Sequence, residues 1–279
     1  WSVDESARQP EAAAVAVKWF RNKLDAVLAE VEDHYSKFRI SDALMSIYKL
    51  FWDDFCAWYL ELAKPAYGAG IDKETYGATV GFFDSLLKMI HPFMPFITEE
   101  LWQNMAPRKD GETIMLQRMP VAGEPDRKFI SDFEMACEAV VAVRSIRQQK
   151  GLSPKEALAL KFKGDFPLEV LPAVTKLANI SSAEKAASFS ETAGVSFMVR
   201  TVEMFVPLTG LVDTAEELAK LEAALDYQEK FLASVRKKLS NERFVSSAPE
   251  QVVANERKKE SDSLSKIESL KAAIASLKA

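Results

Sequence analysis

Residues that commonly carry out chemistry are scarce in this chain: two histidines, His34 and His91, and two cysteines, Cys56 and Cys137, among 279 residues. The cysteines have no CxxC spacing, which disfavours both a disulfide framework and a cysteine-based zinc site and fits a reducing compartment. The histidines offer no ligand spacing with one another, so no metal centre is expected. No P-loop, Rossmann glycine fingerprint, GxSxG or HExxH occurs, and no nucleophile stands beside a base. Long apolar runs are missing too, since nothing approaches the roughly 18 residues a membrane span needs. The opening "WSVDESARQP" has neither the basic start nor the apolar core of a signal peptide. The expectation is a cytoplasmic protein, not a membrane one, that binds rather than catalyses.

Positive charge is in deficit overall, with a net of −5, which argues against a surface coated for nucleic acid. Its distribution is uneven, however. From Lys230 to Lys259 eight basic residues face three acids, a local +5 that leaves the remainder at −10. A basic patch on an acidic chain is the footprint of a single face meeting phosphate.

What the sequence has in quantity is apolar material: 48% of residues, with 10% aromatic, enough for two or three packed cores. Over 1–125 the pattern is helical. Phe20, Leu24, Val27, Leu28, Val31, Tyr35 and Phe38 recur at helical spacing, as do Leu44, Ile47, Tyr48, Phe51, Phe55, Trp58, Tyr59 and Leu62, so each set predicts one apolar stripe. Ser41 is a plausible N-cap for the second helix, and Pro65 with Gly68 and Gly70 ends it. A third helix is predicted from about Asp72 to Ile90. Amphipathic helices with short connections make a bundle.

The stretch "HPFMPFITEELWQ", His91 to Gln103, raises the choice between an acid/base or metal constellation, using His91 with Glu99 or Glu100, and a rigid corner. His91 sits where the third helix must stop before a proline, Thr98 can cap a short fourth helix, and Phe93, Phe96, Leu101 and Trp102 would pack the corner. The corner is the better reading.

Residues 126–209 mix helix and strand: a helix over Phe129 to Gln149 stopped by Gly151, alternation in "ALALKFK", a helix around Leu168 to Ala178, then β-rich "VSFMVRTVEMFVPL". Over 210–279 a heptad pattern takes over. Of the seam positions 211, 214, 218, 221, 225, 228, 232, 235 and 239, seven are apolar. A capping box at Ser247 to Glu250 starts a return helix carrying Val253, Leu264, Ile267, Leu270, Ile274 and Leu277. The fold class expected is therefore mainly α: a helical bundle, a small α+β domain, and a C-terminal antiparallel coiled-coil hairpin whose first arm, from 211 to 239, should reach about 43 Å.

These residues carry a resemblance. "HPFMPFITEELWQ" resembles the signature closing the helical anticodon-binding domain of class I aminoacyl-tRNA synthetases for aliphatic amino acids, and "FRISDALMSIYKLFWDDFCAWYLELAKPAYG" resembles the preceding helix pair in the valine branch. The hairpin sequence is similar to the coiled-coil arm of that branch, and the zinc-ligand cysteines of the isoleucine branch are absent. Trp1 reads as the interior of a helical domain, and the HIGH and KMSKS signatures do not occur. The resemblance thus implies a C-terminal fragment, inactive alone, whose parent enzyme attaches valine with ATP and Mg in its catalytic domain. It implies tRNA(Val) as partner, no DNA, no cofactor in this chain, and a monomer. For the anticodon it points to Lys37, Arg39, Lys49 and Trp52. For the tRNA elbow it points to Arg236, Lys237, Lys238, Leu239, Arg243, Phe244, Arg257, Lys258 and Lys259. The alternative is a non-enzymatic coiled-coil module that binds protein.

Overall fold

A computed structural model describes residues 2–189, 193–208, 214–240 and 250–278. The N-terminal segment enters through a two-residue strand, β1 (Val3–Asp4), paired in parallel with β2 (Ile71–Asp72). Helix α1 (Glu11–Ser36) runs the length of the bundle. After a tight turn the chain returns as one continuous rod of three segments: α2 (Ile40–Lys49), a π-helical stretch (Leu50–Tyr59) and α3 (Leu60–Ala63). Ser41 does not cap it. The helix already begins at Ile40, with Arg39 at the N-cap position and no side-chain cap.

Helix α4 (Lys73–Ile90) descends again, capped by Asp72, whose carboxylate accepts from the Thr75 amide at 2.8 Å. Four rings hold the bundle together. Phe20 lies at 5.2 Å from both Phe55 and Tyr59 and at 5.0 Å from Phe82, all buried, so α1, the π stretch and α4 meet on one aromatic cluster.

The corner after α4 is built from "HPFMPFITEELWQ". Helix α5 (Pro95–Met105) starts at its proline, earlier than Thr98, which therefore caps nothing. Instead the Thr98 hydroxyl donates to the Met94 carbonyl at 2.8 Å and lies 2.6 Å from His91 Nδ1. With that proton already given to Met94, the imidazole is the donor, and it ties the end of α4 to the first turn of α5. Glu99 accepts from the Thr113 hydroxyl, the Gln103 amide and the Ile114 amide, and these bonds hold its carboxyl below the usual range, Thr113 first. Glu100 accepts from Asn104. Among the described residues no group of three or more His, Cys, Asp or Glu side chains could hold a metal ion. Trp102 is buried, its indole donating to Asp84 at 2.8 Å with the Arg108 guanidinium 3.5 Å over the ring. Phe96 and Leu101 do not pack the corner as their spacing suggested. Phe96 is 90% exposed, because a helix that begins at Pro95 turns it to the outer side.

Helix α6 (Arg127–Lys150) is capped by Asp126 and ends at Gly151, whose φ of +65° is the left-handed C-cap that glycine adopts without steric cost. It packs on α1 through Trp19 and Phe133, stacked at 4.0 Å. Strand β3 (Leu158–Lys163) buries Leu158, Leu160 and Phe162 on one face. It is followed by α7 (Leu171–Ala178), then β4 (Ile180–Lys185), β5 (Gly194–Val199) and β6 (Val202–Pro207). The sheet order is β4-β3-β6-β5, with β3 and β4 parallel and the other pairs antiparallel. One apolar cluster runs without a break from the bundle through α6 to the sheet.

Helices α8 (Thr214–Leu239) and α9 (Glu250–Lys278) pack together as an antiparallel pair, 26 and 29 residues long, or about 39 and 43 Å. The proposed capping box from Ser247 lies outside the described residues save Glu250, as does everything between the two helices. Leu232, Val235 and Ile267 are buried on the seam. Leu264 is not, being 40% exposed, while Ser263 and Glu256 are buried. Stepping back from Ile267 by alternating fours and threes reaches 263, 260 and 256, so leucine at 264 falls beside the seam rather than in it.

A partly buried carboxyl in the bundle supplies a test of stability. Asp54, in the π stretch, has its carboxyl pushed up to about 6, chiefly by burial and then by Asp53 and Glu134, against the opposing pull of Lys23 at 3.9 Å. The folded state therefore keeps this proton to a higher pH than the unfolded chain does. Stability is largest below the ordinary value of 3.8 and falls as pH rises toward 6. Asp54→Asn is expected to raise stability at pH 7 by on the order of 2 kcal/mol and to flatten the slope between pH 4 and 6 in urea titrations. An unchanged slope would mean that Asp54 titrates normally.

Candidate nucleic-acid interface

Two surfaces gather the side chains that suit RNA. The first is the turn between α1 and α2. The Lys37 amide still bonds back to Asp33 and His34, Phe38 then takes φ +56°, and the Arg39 amide closes the turn on the His34 carbonyl at 2.8 Å. A left-handed phenylalanine costs about 1–3 kcal/mol of backbone strain, and here its ring is 89% exposed, so burial offsets none of it. Phe38 is thus not the last residue of the α1 stripe. The helical period stops at Ser36, and the residue beyond a helix end no longer faces the core.

Lys37 bonds the Asp33 carboxylate at 2.7 Å, which holds that carboxyl below its usual range; both are half in solvent, so the pair is a weak one that an RNA phosphate can exchange. Arg39 is exposed and makes no ion pair with a described residue. The turn is braced from below, where Ser46 of α2 donates to Glu30 of α1 at 2.8 Å.

Lys49 and Trp52 do not join Lys37 and Arg39 in one spot. They lie further along the rod, Trp52 about 18 Å of helix rise from Ile40. Trp52 is 62% exposed, with Tyr48 parallel to it at a centroid distance of 6.5 Å and an interplanar angle of 10°. Tyr48, counted by spacing among the apolar stripe, is half exposed. The sequence carried a signal for this: Leu44, Ile47, Phe51 and Phe55 already complete a face, and Met45, Tyr48 and Trp52 form a second one at steps of three and four.

The second surface is the far end of the α8–α9 hairpin. Arg236 donates to Glu260 across the two helices at 2.8 Å. The buried Glu256 takes Lys259 at 2.7 Å and Lys238 at 3.9 Å, and the Lys259 bond, then the charge of Lys238, holds its carboxyl below the usual range. Arg236 and Lys238 therefore fasten the two helices to each other, while Lys259 pairs with Glu256 within α9 itself. Lys237, Arg257 and Lys258 are exposed and pair with no described residue. Leu239 is half-buried at the end of α8, and Arg243 and Phe244 lie outside the described residues.

The family model for the anticodon-binding domain of tRNA ligase matches residues 17–162, and that for the valyl tRNA synthetase tRNA binding arm matches residues 213–278. The chain is 51% identical over 277 residues to a valine–tRNA ligase of Parabacteroides distasonis, an alignment covering 99% of this chain and 32% of the relative. It is 52% identical over 279 residues to that of Phocaeicola vulgatus (100% and 32%), and 36% identical over 277 residues to that of Listeria innocua (95% and 31%). The chain spans about a third of the length of these curated relatives.

Proposed function

The chain belongs to the family of anticodon-binding domains of tRNA ligases, and from that premise we propose that it is the C-terminal, tRNA-binding portion of a valine–tRNA ligase. It holds tRNA(Val) at two places while ATP-dependent valylation proceeds in the catalytic portion of the longer protein. In this reading the bundle and its turn, within 1–125, take the anticodon loop. The α+β unit, 126–209, joins them to the hairpin, 210–279, which reaches the elbow where the D and T loops meet. The chain is cytoplasmic and monomeric, binds no DNA and needs no cofactor of its own, ATP and Mg being required only for the chemistry elsewhere. Among the described residues no helix is long and apolar enough to cross a membrane.

Phe38 carries the reading. RNA loops are recognised through unstacked bases laid on aromatic rings and hydrogen-bonded at their edges, with nearby cations on the phosphates. A ring held out of the core by a strained turn, with Arg39 beside it and Lys37 one residue away, supplies that combination. Phe38→Ala is expected to weaken binding of the tRNA(Val) anticodon hairpin by about 5- to 150-fold, since stacking is worth about 1–3 kcal/mol per base. Thermal stability should hold or rise, because little burial is lost. Lys37→Ala with Arg39→Ala should weaken it further and, if Arg39 reads a base edge, should narrow the gap between cognate and anticodon-mutated hairpins. Equal affinity of wild type and Phe38→Ala would remove the turn from the interface. For the whole molecule, a footprint showing protection at both the anticodon and the elbow is the expected result.

A further inference from the structure

We infer that Tyr48 and Trp52 form a second base-stacking site, separate from Phe38, so that a single strand of the anticodon loop lies along the outer face of α2 instead of touching only its tip. This rests on the bundle being an anticodon binder and says how it would hold the loop.

Met45, Tyr48 and Trp52 follow one another at steps of three and four on the outer side of the rod, and all three, with Ile40 and Phe38 toward the turn, are at least 49% exposed. Large apolar side chains exposed in a row in a folded chain mark a surface that something else covers. Its length decides how many nucleotides it can serve. Ile40 to Trp52 spans about 18 Å, the rise of roughly five stacked nucleotides at 3.4 Å each. A base stacked on Phe38 therefore cannot also sit on Trp52, so a base held by Trp52 occupies a second site.

The chemistry of the strip favours RNA over an apolar protein surface. The two rings are parallel within 10° with their centroids 6.5 Å apart, so both offer a planar base a face of the same orientation. Lys49 stands between them in sequence, exposed and pairing with no described residue, and Arg39 is its counterpart at the turn. One cation therefore stands at the turn and another beside the two rings, where a phosphate backbone passing along the rod can meet both. Asp42 and Asp53 are also exposed on this rod, and Asp53, next to Trp52, is an acceptor suited to amino groups on a base edge rather than to phosphate. Immediately after Lys49 the backbone changes from α to π, so Trp52 stands on a stretch with a wider turn while Leu50, Phe55 and Tyr59 keep the inner side buried. Departures of this kind are frequent at functional sites.

The test places 2-aminopurine at each loop position of the tRNA(Val) anticodon hairpin in turn and records its quenching by the full chain. Two positions should be quenched. Trp52→Ala should abolish one and Phe38→Ala the other, each weakening binding about 5- to 150-fold. Trp52→Phe should retain most of both signals, and Tyr48→Ala should reduce only the signal that depends on Trp52. If Trp52→Ala and Tyr48→Ala leave quenching and affinity unchanged while Phe38→Ala weakens binding, the second site does not exist but the anticodon reading stands. If none of the three has an effect, both fail together. Trp52 and Tyr48 are half exposed or more, so these variants should fold, which circular dichroism of each checks directly.

Discussion

Replacing Lys237, Arg257 and Lys258 together by glutamate is expected to weaken binding of full-length tRNA(Val) by about 100-fold at 0.15 M salt. Each phosphate contact releases close to one counterion, contributing about 0.7 logarithmic units at that salt, so three contacts give roughly two. The slope of log affinity against log salt should become shallower by about 2 to 3, and the loss should be the same for cognate and anticodon-mutated tRNA, because phosphate contacts carry no sequence information. These three are chosen over Arg236 and Lys238, which hold α8 to α9 through Glu260 and Glu256, and over Lys259, which is already paired with the buried Glu256, because reversing those would disturb the hairpin as well as remove RNA contacts. The isolated anticodon hairpin, which has no elbow, should bind the triple variant as well as wild type. An unchanged affinity and slope for full-length tRNA would make the hairpin a protein-binding module, the alternative left open by its heptads.

Phe20→Ala is expected to cost about 3–5 kcal/mol of stability, read as a lowered denaturant midpoint. The ring is completely buried and lies within 5.2 Å of Phe55, Tyr59 and Phe82, so its removal leaves a cavity that three large neighbours cannot all collapse into. Because those neighbours belong to the same rod and to α4, the variant should also lose anticodon binding as temperature rises, without any contact of Phe20 with RNA. Phe38→Ala, the same chemical change at an exposed site, should show the reverse: stability kept and binding lost. A cost below about 1 kcal/mol for Phe20→Ala would mean that the aromatic cluster does not hold the bundle together.

The contrast between these two phenylalanines shows how far the sequence by itself went. Helical spacing placed Phe20, Leu24, Val27, Leu28 and Val31 on a buried face correctly, because within a regular helix the 3.6-residue period alone decides which side a residue occupies. It determined the three long helices of the bundle, the Gly151 stop, the buried face of β3 and the antiparallel hairpin for the same reason, as well as the local excess of positive charge. The resemblance of "HPFMPFITEELWQ" and of the hairpin located the family. Where a period ends, the rule has nothing to say. Phe38 lies two residues past the end of α1, Phe96 on a helix whose start moved from Thr98 to Pro95, and Leu264 one step off a seam held by Ser263 and Glu256. Strand β4 was not legible either: it is an edge strand of mostly exposed polar residues, paired through its backbone, and backbone pairing leaves no mark on side-chain pattern. Which of the basic residues at the hairpin end are free was also a tertiary matter. Six described lysines and arginines look alike in sequence, and only the position of Glu256 and Glu260 on α9 commits Arg236 and Lys238 to holding the arm together and Lys259 to a pair within its own helix, leaving Lys237, Arg257 and Lys258 to meet solvent or phosphate.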